Sequence, residues 1–142
     1  MKIAIGCDHA GYELKEIVKD KLTSEGYELI DLGTNSSESV DYPIYGKAVG
    51  EKVASGECDK GIAICGTGIG ISISCNKVKG VRAALCNTEH LAEMSREHND
   101  ANVLCLGARE IDKELALKIV DKWLSTDFLG GKHLRRIKML EE

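Results

Sequence analysis

Gly61-Ile62-Ala63-Ile64-Cys65-Gly66-Thr67-Gly68-Ile69-Gly70 is the stretch on which the fold turns. Its first half is a short apolar run, the pattern of a strand buried on both faces. Its second half sets three glycines in five positions, so the chain can turn tightly and bring backbone N–H groups close to a ligand. A short helix to about Val78 follows.

The flanking sequence keeps the same alternation. Toward the N-terminus, residues 3–6 read as a strand. Ala10, Leu14, Ile17, Val18 and Leu22 fall on one helical face that Gly26 terminates. Residues 27–32 form a second strand, 33–41 a polar loop, and 42–55 a helix with Pro43 in its first turn. Beyond the glycine turn come strands at 81–86 and 102–106, helices at 89–98 and 112–124, and a basic helical tail at 132–142. Strands separated by helices require crossover connections, hence a parallel sheet covered on both faces. The expected fold is a three-layer α/β/α sandwich with five parallel strands, forming one domain over residues 1–142. Ligands of such sheets bind beyond the carboxyl ends of the strands. The chemistry should therefore follow Ile5, Ile64, Leu85 and Leu106.

Composition excludes several classes. With 19 Lys and Arg against 23 Asp and Glu, the formal charge is −4, the wrong sign for a general nucleic-acid binder. There is no run of 18 apolar residues to span a membrane, and Asp8 interrupts any signal-peptide core. The six cysteines, at 7, 58, 65, 75, 86 and 105, contain no C-x-x-C pair. They read as reduced thiols of a cytoplasmic protein, mostly serving as small buried hydrophobes. No H-x-H or H-E-x-x-H spacing occurs, so no metal is expected.

Cys65 departs from that pattern. It stands at the mouth of the glycine turn, where N–H donors and a helix start favour a thiolate able to act as nucleophile or base. The turn itself lacks the third glycine of the dinucleotide fingerprint (Ile71 stands there) and the Gly-Lys-Ser/Thr of the Walker motif. It suits a phosphate, or an oxyanion that develops during a reaction. Cys7, at another strand end, ranks second. Asp8-His9 and His98-Asn99-Asp100 are expected near the same sheet edge as a proton-transfer set. Lys132, His133 and Arg136 crowd the basic tail, whose packing side would be Leu134, Ile137 and Leu140; Arg109, after the fifth strand, could join them around an anion.

These residues together resemble the ribose-5-phosphate isomerase type B family, which also contains galactose-6-phosphate and allose-6-phosphate isomerases. The resemblance is carried by Gly6-Cys7-Asp8-His9-Ala10-Gly11, Asp41-Tyr42-Pro43, Ile64-Cys65-Gly66-Thr67-Gly68-Ile69-Gly70, Asn76-Lys77 and Gly80-Val81-Arg82-Ala83. It continues through Ser95-Arg96-Glu97-His98-Asn99-Asp100-Ala101-Asn102 and Gly130-Gly131-Lys132-His133 with Arg136. It implies a Rossmann-like sheet of order 2-1-3-5-4 and a homodimer, sometimes paired into a tetramer, whose sites are shared between subunits, the helix at 130–142 reaching the partner. It implies no cofactor.

By the same resemblance Cys65 is the base that moves a proton between the first two sugar carbons, and His98 opens the ring with Asp8 assisting. Thr67 and the amides of Gly66, Gly68, Ile69 and Gly70 hold the developing oxyanion, and Asn99 and Tyr42 contact the sugar. His9, Arg109, Lys132, His133 and Arg136 meet the phosphate. Many relatives carry arginine where Lys132 stands, so one forked contact becomes a point charge. A second branch places a glutamate base at the position of Ile71; Cys65 puts this chain in the cysteine branch. Three rival readings are a hexose-6-phosphate isomerase, a non-catalytic phosphate-binding module, and a thiol redox protein that would need Cys7 beside Cys65.

Overall fold

The computed structural model describes residues 1–142. The apolar runs become β1 (Lys2–Cys7), β2 (Glu28–Asp31), β3 (Lys60–Cys65), β4 (Ala83–Leu85) and β5 (Val103–Gly107). All pair in parallel, in the order β2-β1-β3-β5-β4. The helices are α1 (Tyr12–Ser24), α2 (Tyr42–Ala54), α3 (Ile69–Asn76), α4 (Glu89–Glu97), α5 (Lys113–Ser125) and α6 (Lys132–Leu140), with a 3₁₀ turn at His9–Gly11 before α1. The three-layer sandwich is as expected from the strand and helix pattern, and the strand order is the one the family resemblance implies. No helix is long and apolar enough to cross a membrane.

Alternation along each strand builds two cores. Ile3, Ile5, Cys7, Ile62, Ile64, Leu104 and Leu106 face α1, α4 and α5, where Leu14, Val18, Leu22, Ala92, Ile119 and Trp123 complete the packing. Ala4, Ala63, Cys65, Val103 and Cys105 face the other way, toward Val49 and Val53 of α2 and Ile71 and Cys75 of α3. Because side chains alternate with period two, Cys7 and Cys65 leave adjacent strands on opposite faces: Cys7 pairs with Ile64, the neighbour of Cys65. Not all the expected packing positions are covered. On α6 only Ile137 is buried, while Leu134 and Leu140 are exposed.

One buried charge shapes the carboxyl side of the sheet. Lys15 sits on the inner face of α1 and is fully buried. Its Nζ donates to both Asp31 carboxylate oxygens at 3.0 Å and to Thr34 O at 2.7 Å. Lys19 donates to Asp31 Oδ2 at 2.9 Å and the Gly33 N–H to Oδ1 at 2.9 Å. The loop after β2 is thereby fixed beside β1, and the Thr34 N–H donates to Cys7 O at 2.8 Å. Burial alone would raise the Asp31 carboxyl, but donation from Lys19, the Gly33 amide and Lys15 outweighs it and holds the group below the ordinary carboxylate range.

A depressed carboxyl stabilises the fold fully above its unfolded value, and the contribution disappears as pH falls through the folded one. Asp31→Asn should therefore lower the melting temperature at pH 7, and the gap to the parent should narrow as pH drops below about 4. Thermal melts across pH 3–7 check this; a gap independent of pH would refute the ionic role. Lys15→Met should cost about 2 kcal/mol at neutral pH, since Lys19 still partners Asp31.

Candidate active site

Order β2-β1-β3-β5-β4 reverses between β1 and β3, and at that switch point three central strands deliver their carboxyl ends together. The Asp8 N–H donates to Ile64 O at 3.1 Å, the Ala108 N–H to Cys65 O at 2.9 Å, and the Arg109 N–H to Gly66 O at 2.9 Å. Asp8, Cys65 and Arg109 are thus drawn to one edge. A Cβ added to Gly66 would lie 3.2 Å from Arg109 Nη1, so the guanidinium lies over the glycine turn.

Cys65 is almost entirely covered, and its Sγ accepts the Gly68 N–H at 3.1 Å. Gly68 has φ +80°, and a Cβ there would collide with Leu85 and with the backbone of Leu106 and Gly107. Only glycine lets the turn fold back far enough to place its amide on the sulfur. Ile69 N–H donates to Thr67 Oγ1 at 3.2 Å, which leaves the Thr67 hydroxyl proton free to donate outward. The N–H groups of Gly66, Thr67, Gly70 and Ile71 meet no acceptor within the chain. Amides left without acceptors about a helix start are ready donors for an oxygen that becomes negative. The Gly68 and Ile69 amides, included in that set from the sequence, are instead committed to Cys65 and Thr67.

Around this nest, Tyr42 lies against Gly70, where an added Cβ would fall 2.7 Å from the ring. Asp8 caps the 3₁₀ turn, its Oδ1 accepting the Gly11 N–H at 3.1 Å. His9 Nδ1 accepts the Val40 N–H at 3.1 Å, so the ring proton sits on Nε2 and is available to an anion. Ile71 is fully buried beside Cys65. Cys7, ranked second from the sequence, is withdrawn: it faces the α1 and α5 core, and burial pushes its thiol up to about 12. No cysteine is paired, and the redox reading loses its resolving partner because Cys7 lies on the far side of the sheet from Cys65.

The remaining candidates are elsewhere, which corrects the expectation of one shared edge. Helix α4 runs back against the strand direction, so His98 and Asn99 at its end sit where β5 begins. The Gly61 N–H donates to Asn102 O at 2.9 Å, at the amino end of β3. About 17 Å of strand separates that edge from Cys65. Helix α6 docks at the same amino edge, where the Leu129 N–H meets Glu97 O at 3.1 Å. The His98 and His133 rings stack at 4.4 Å between centroids and 13° between planes. His98, Asn99, His133 and Arg136 line a cleft of about 390 Å³. Arg109 therefore does not join Lys132 and Arg136 within a chain, and Lys132, at the start of α6, does not line the cleft. Desolvation and the positive charge of His98, Lys132 and Arg136 hold the His133 imidazole below the ordinary histidine range.

The sequence reading placed Asp100 with His98 in a proton-transfer set and missed that Arg96 and Arg82 engage its carboxylate. Only the i,i+4 spacing of Arg96 and Asp100 could have signalled part of it. No group of three or more His, Cys, Asp or Glu side chains is placed to hold a metal ion.

A thiol on a glycine nest at the switch point, with imidazoles and cations in a second cluster, defines a class: an α/β enzyme that moves protons on a small phosphorylated substrate. The chain belongs to the Ribose/Galactose Isomerase family, which its residues 3–140 match. It is 50% identical to ribose-5-phosphate isomerase B of Escherichia coli (strain K12) over 98% of this chain and 93% of that one. Its fold superimposes on ribose-5-phosphate isomerase B of Clostridium thermocellum with TM-score 0.99 at 57% identity, covering 99% and 95% of the two chains. The enzyme of Mycoplasma genitalium, solved with bound ribulose-5-phosphate, gives TM-score 0.95 at 42% identity over 99% and 93%.

The stacked pair offers a direct check. His133 should titrate below about 6.5, and Arg136→Ala should move its midpoint upward. Proton NMR titration of the free protein reads both; a midpoint unmoved by the substitution would show that Arg136 does not face the ring.

Proposed function

We propose that this chain interconverts ribose 5-phosphate and ribulose 5-phosphate, in a site joining the carboxyl-edge groups of one copy to the amino-edge groups of a second. The observation that carries the reading is the Cys65 sulfur under the Gly68 N–H, surrounded by amides without acceptors. Aldose–ketose exchange needs a base for a weakly acidic C–H proton and preorganised donors for the enediolate.

In this reading His98 moves a proton from the O1 hydroxyl to the ring oxygen, and Asp8, whose Oδ1 serves Gly11, uses its other oxygen to hold the sugar. Cys65 as thiolate takes the C2 proton and returns it to C1, while the O2 proton passes to O1. Thr67 and the free amides of the turn bear the charge that gathers on the oxygens between the two transfers. Tyr42 and Asn99 hold the sugar. His9 through its Nε2–H, Arg109, Lys132, His133 and Arg136 hold the phosphate, whose binding energy keeps the reacting carbons in register.

A homodimer follows from the separation of the two half-sites. It is supported by apolar side chains left uncovered beside each: Tyr42, Ile44, Ile69 and Ile73 at one, Leu134, Met139 and Leu140 at the other. Pairing of dimers into a tetramer, a cytoplasmic setting and a place in the pentose phosphate pathway belong to the same proposal.

Mixing two inactive variants tests the shared site. Cys65→Ala and His98→Ala should each lose activity by at least about a hundredfold. Unfolded together and refolded, they should recover about a quarter of parental activity, because half the dimers then carry one site with both groups intact. No recovery would place Cys65 and His98 in one chain's site or remove one of them from the chemistry. Rates on ribose, allose and galactose phosphates measured side by side give the preferred sugar.

A further inference from the structure

Asp100 is the single non-glycine residue with a left-handed backbone, at φ +45°. It follows the end of α4, where a left-handed residue closes many helices and is usually glycine or asparagine. The closure is present: the Asp100 N–H donates to Arg96 O at 3.2 Å and the Ala101 N–H to Ser95 O at 3.0 Å. Aspartate in that conformation is strained relative to glycine, so something else holds it there.

Two arginines do. Arg96, 6% exposed, donates from Nη1 to Asp100 Oδ1 at 2.8 Å and to Ala101 O at 2.7 Å, and from Nε to Thr126 O at 3.2 Å. Its guanidinium lies over the Trp123 ring, 5.9 Å from the centroid. Arg82 approaches from the other side, with Nε on Asn99 O at 3.1 Å, Nη2 on Asp100 O at 2.9 Å, and Nη2 3.7 Å from Asp100 Oδ2. Its Nη1 reaches Glu141 Oε1 at 2.6 Å, beyond the end of α6. The turn carrying His98 and Asn99 is thus gripped on its backbone and at its one carboxylate. The same two arginines tie it to the segment before α6 and to the residue that caps it.

We propose that Asp100 is a positioning residue: clamped between Arg96 and Arg82, its carboxylate fixes the direction in which His98 and Asn99 leave α4, and so seats His98 against His133. A glycine would satisfy the backbone at less strain and would leave both arginines without this partner. The strained choice is explained by the carboxylate and not by the turn. The inference concerns how the amino-edge half-site is held and rests on the proposed function only for its effect on rate.

Two variants separate the carboxylate from the turn. Asp100→Gly keeps the left-handed backbone and loses the clamp; Asp100→Asn keeps the backbone and an oxygen able to accept from Arg96. In the substrate-free protein, the ring C–H signals of His98 and His133, shifted by mutual stacking, should move toward free-imidazole positions in Asp100→Gly and stay near parental in Asp100→Asn. kcat/KM on ribose 5-phosphate should fall about tenfold in the glycine variant and be largely restored in the asparagine variant. Unmoved histidine signals in Asp100→Gly, or moved signals with an unchanged rate, would overturn the proposal. So would an equal loss in both variants. Should Asp100→Gly fail to melt cooperatively, Arg82→Met, which releases only the outer grip, must show the same signals displaced less far, and unmoved signals there count against the clamp. If the parent protein does not isomerise ribose 5-phosphate, the functional reading fails, while the histidine signals still decide whether the carboxylate holds the turn.

Discussion

A parallel sheet imposes one constraint from which the arrangement of this protein follows. Every strand points the same way, so every crossover helix must return the chain against that direction. Residues that end strands gather at one edge, and residues that end helices gather at the other. Asp8, Cys65 and Arg109 are of the first kind; His98 and Asn99 are of the second. No adjustment of side chains bridges the ~17 Å between the edges. Under the proposed function, groups that serve one small substrate from both ends of the sheet come from two copies, a partner set in the opposite sense bringing unlike edges together.

The same alternation of strands that builds the cores decides which cysteine reaches the glycine turn. Cys7 and Cys65 both end central strands, yet a difference of one in register sends them to opposite faces. Cys7 enters the α1 and α5 core, where burial outweighs the nearby Lys15 charge and suits a neutral thiol. Cys65 lies beneath a turn whose Gly68 amide donates to its sulfur. Cys105, on the Cys65 face but two residues short of the strand end, is wholly buried and its thiol is pushed up, with Cys75 as hydrogen-bond partner and desolvation as the next cause. Reactivity here depends on position along the strand as much as on residue type.

These distinctions mark how far the sequence could be read. Periodicity located every strand and helix to within about two residues, because buried parallel strands are continuous apolar runs and the helices are amphipathic. The glycine turn and its thiol were legible for a local reason, since strand, turn and helix start are contiguous. The strand order came only with the family resemblance. What spacing could not give was the third dimension at helix ends: His98 follows a helix that starts at the correct edge, and nothing local records that nine residues carry it to the other. The buried charges were equally silent. Lys15 falls between Leu14 and Val18 on the inner face of α1 and reads as a solvated lysine until Asp31 and Thr34 are seen around it. Asp100 reads as a member of a proton-transfer set with His98 until its φ and its two arginine partners are seen.

The amino-edge cluster has an electrostatic logic of its own. Lys132, His133 and Arg136 follow one another on the first turns of α6, and His98 stacks on the second of them. Of the acidic groups nearby, Asp100 is engaged by Arg96 and Glu141 by Arg82, while Glu97 acts on His133 against the cations. The helix start adds partial positive charge instead of relieving it. His133 responds by holding its proton less readily than an ordinary histidine, with desolvation the larger cause and the neighbouring cations the next. An anion in that cluster would relieve the repulsion, and under the proposed function the substrate's phosphate is that anion.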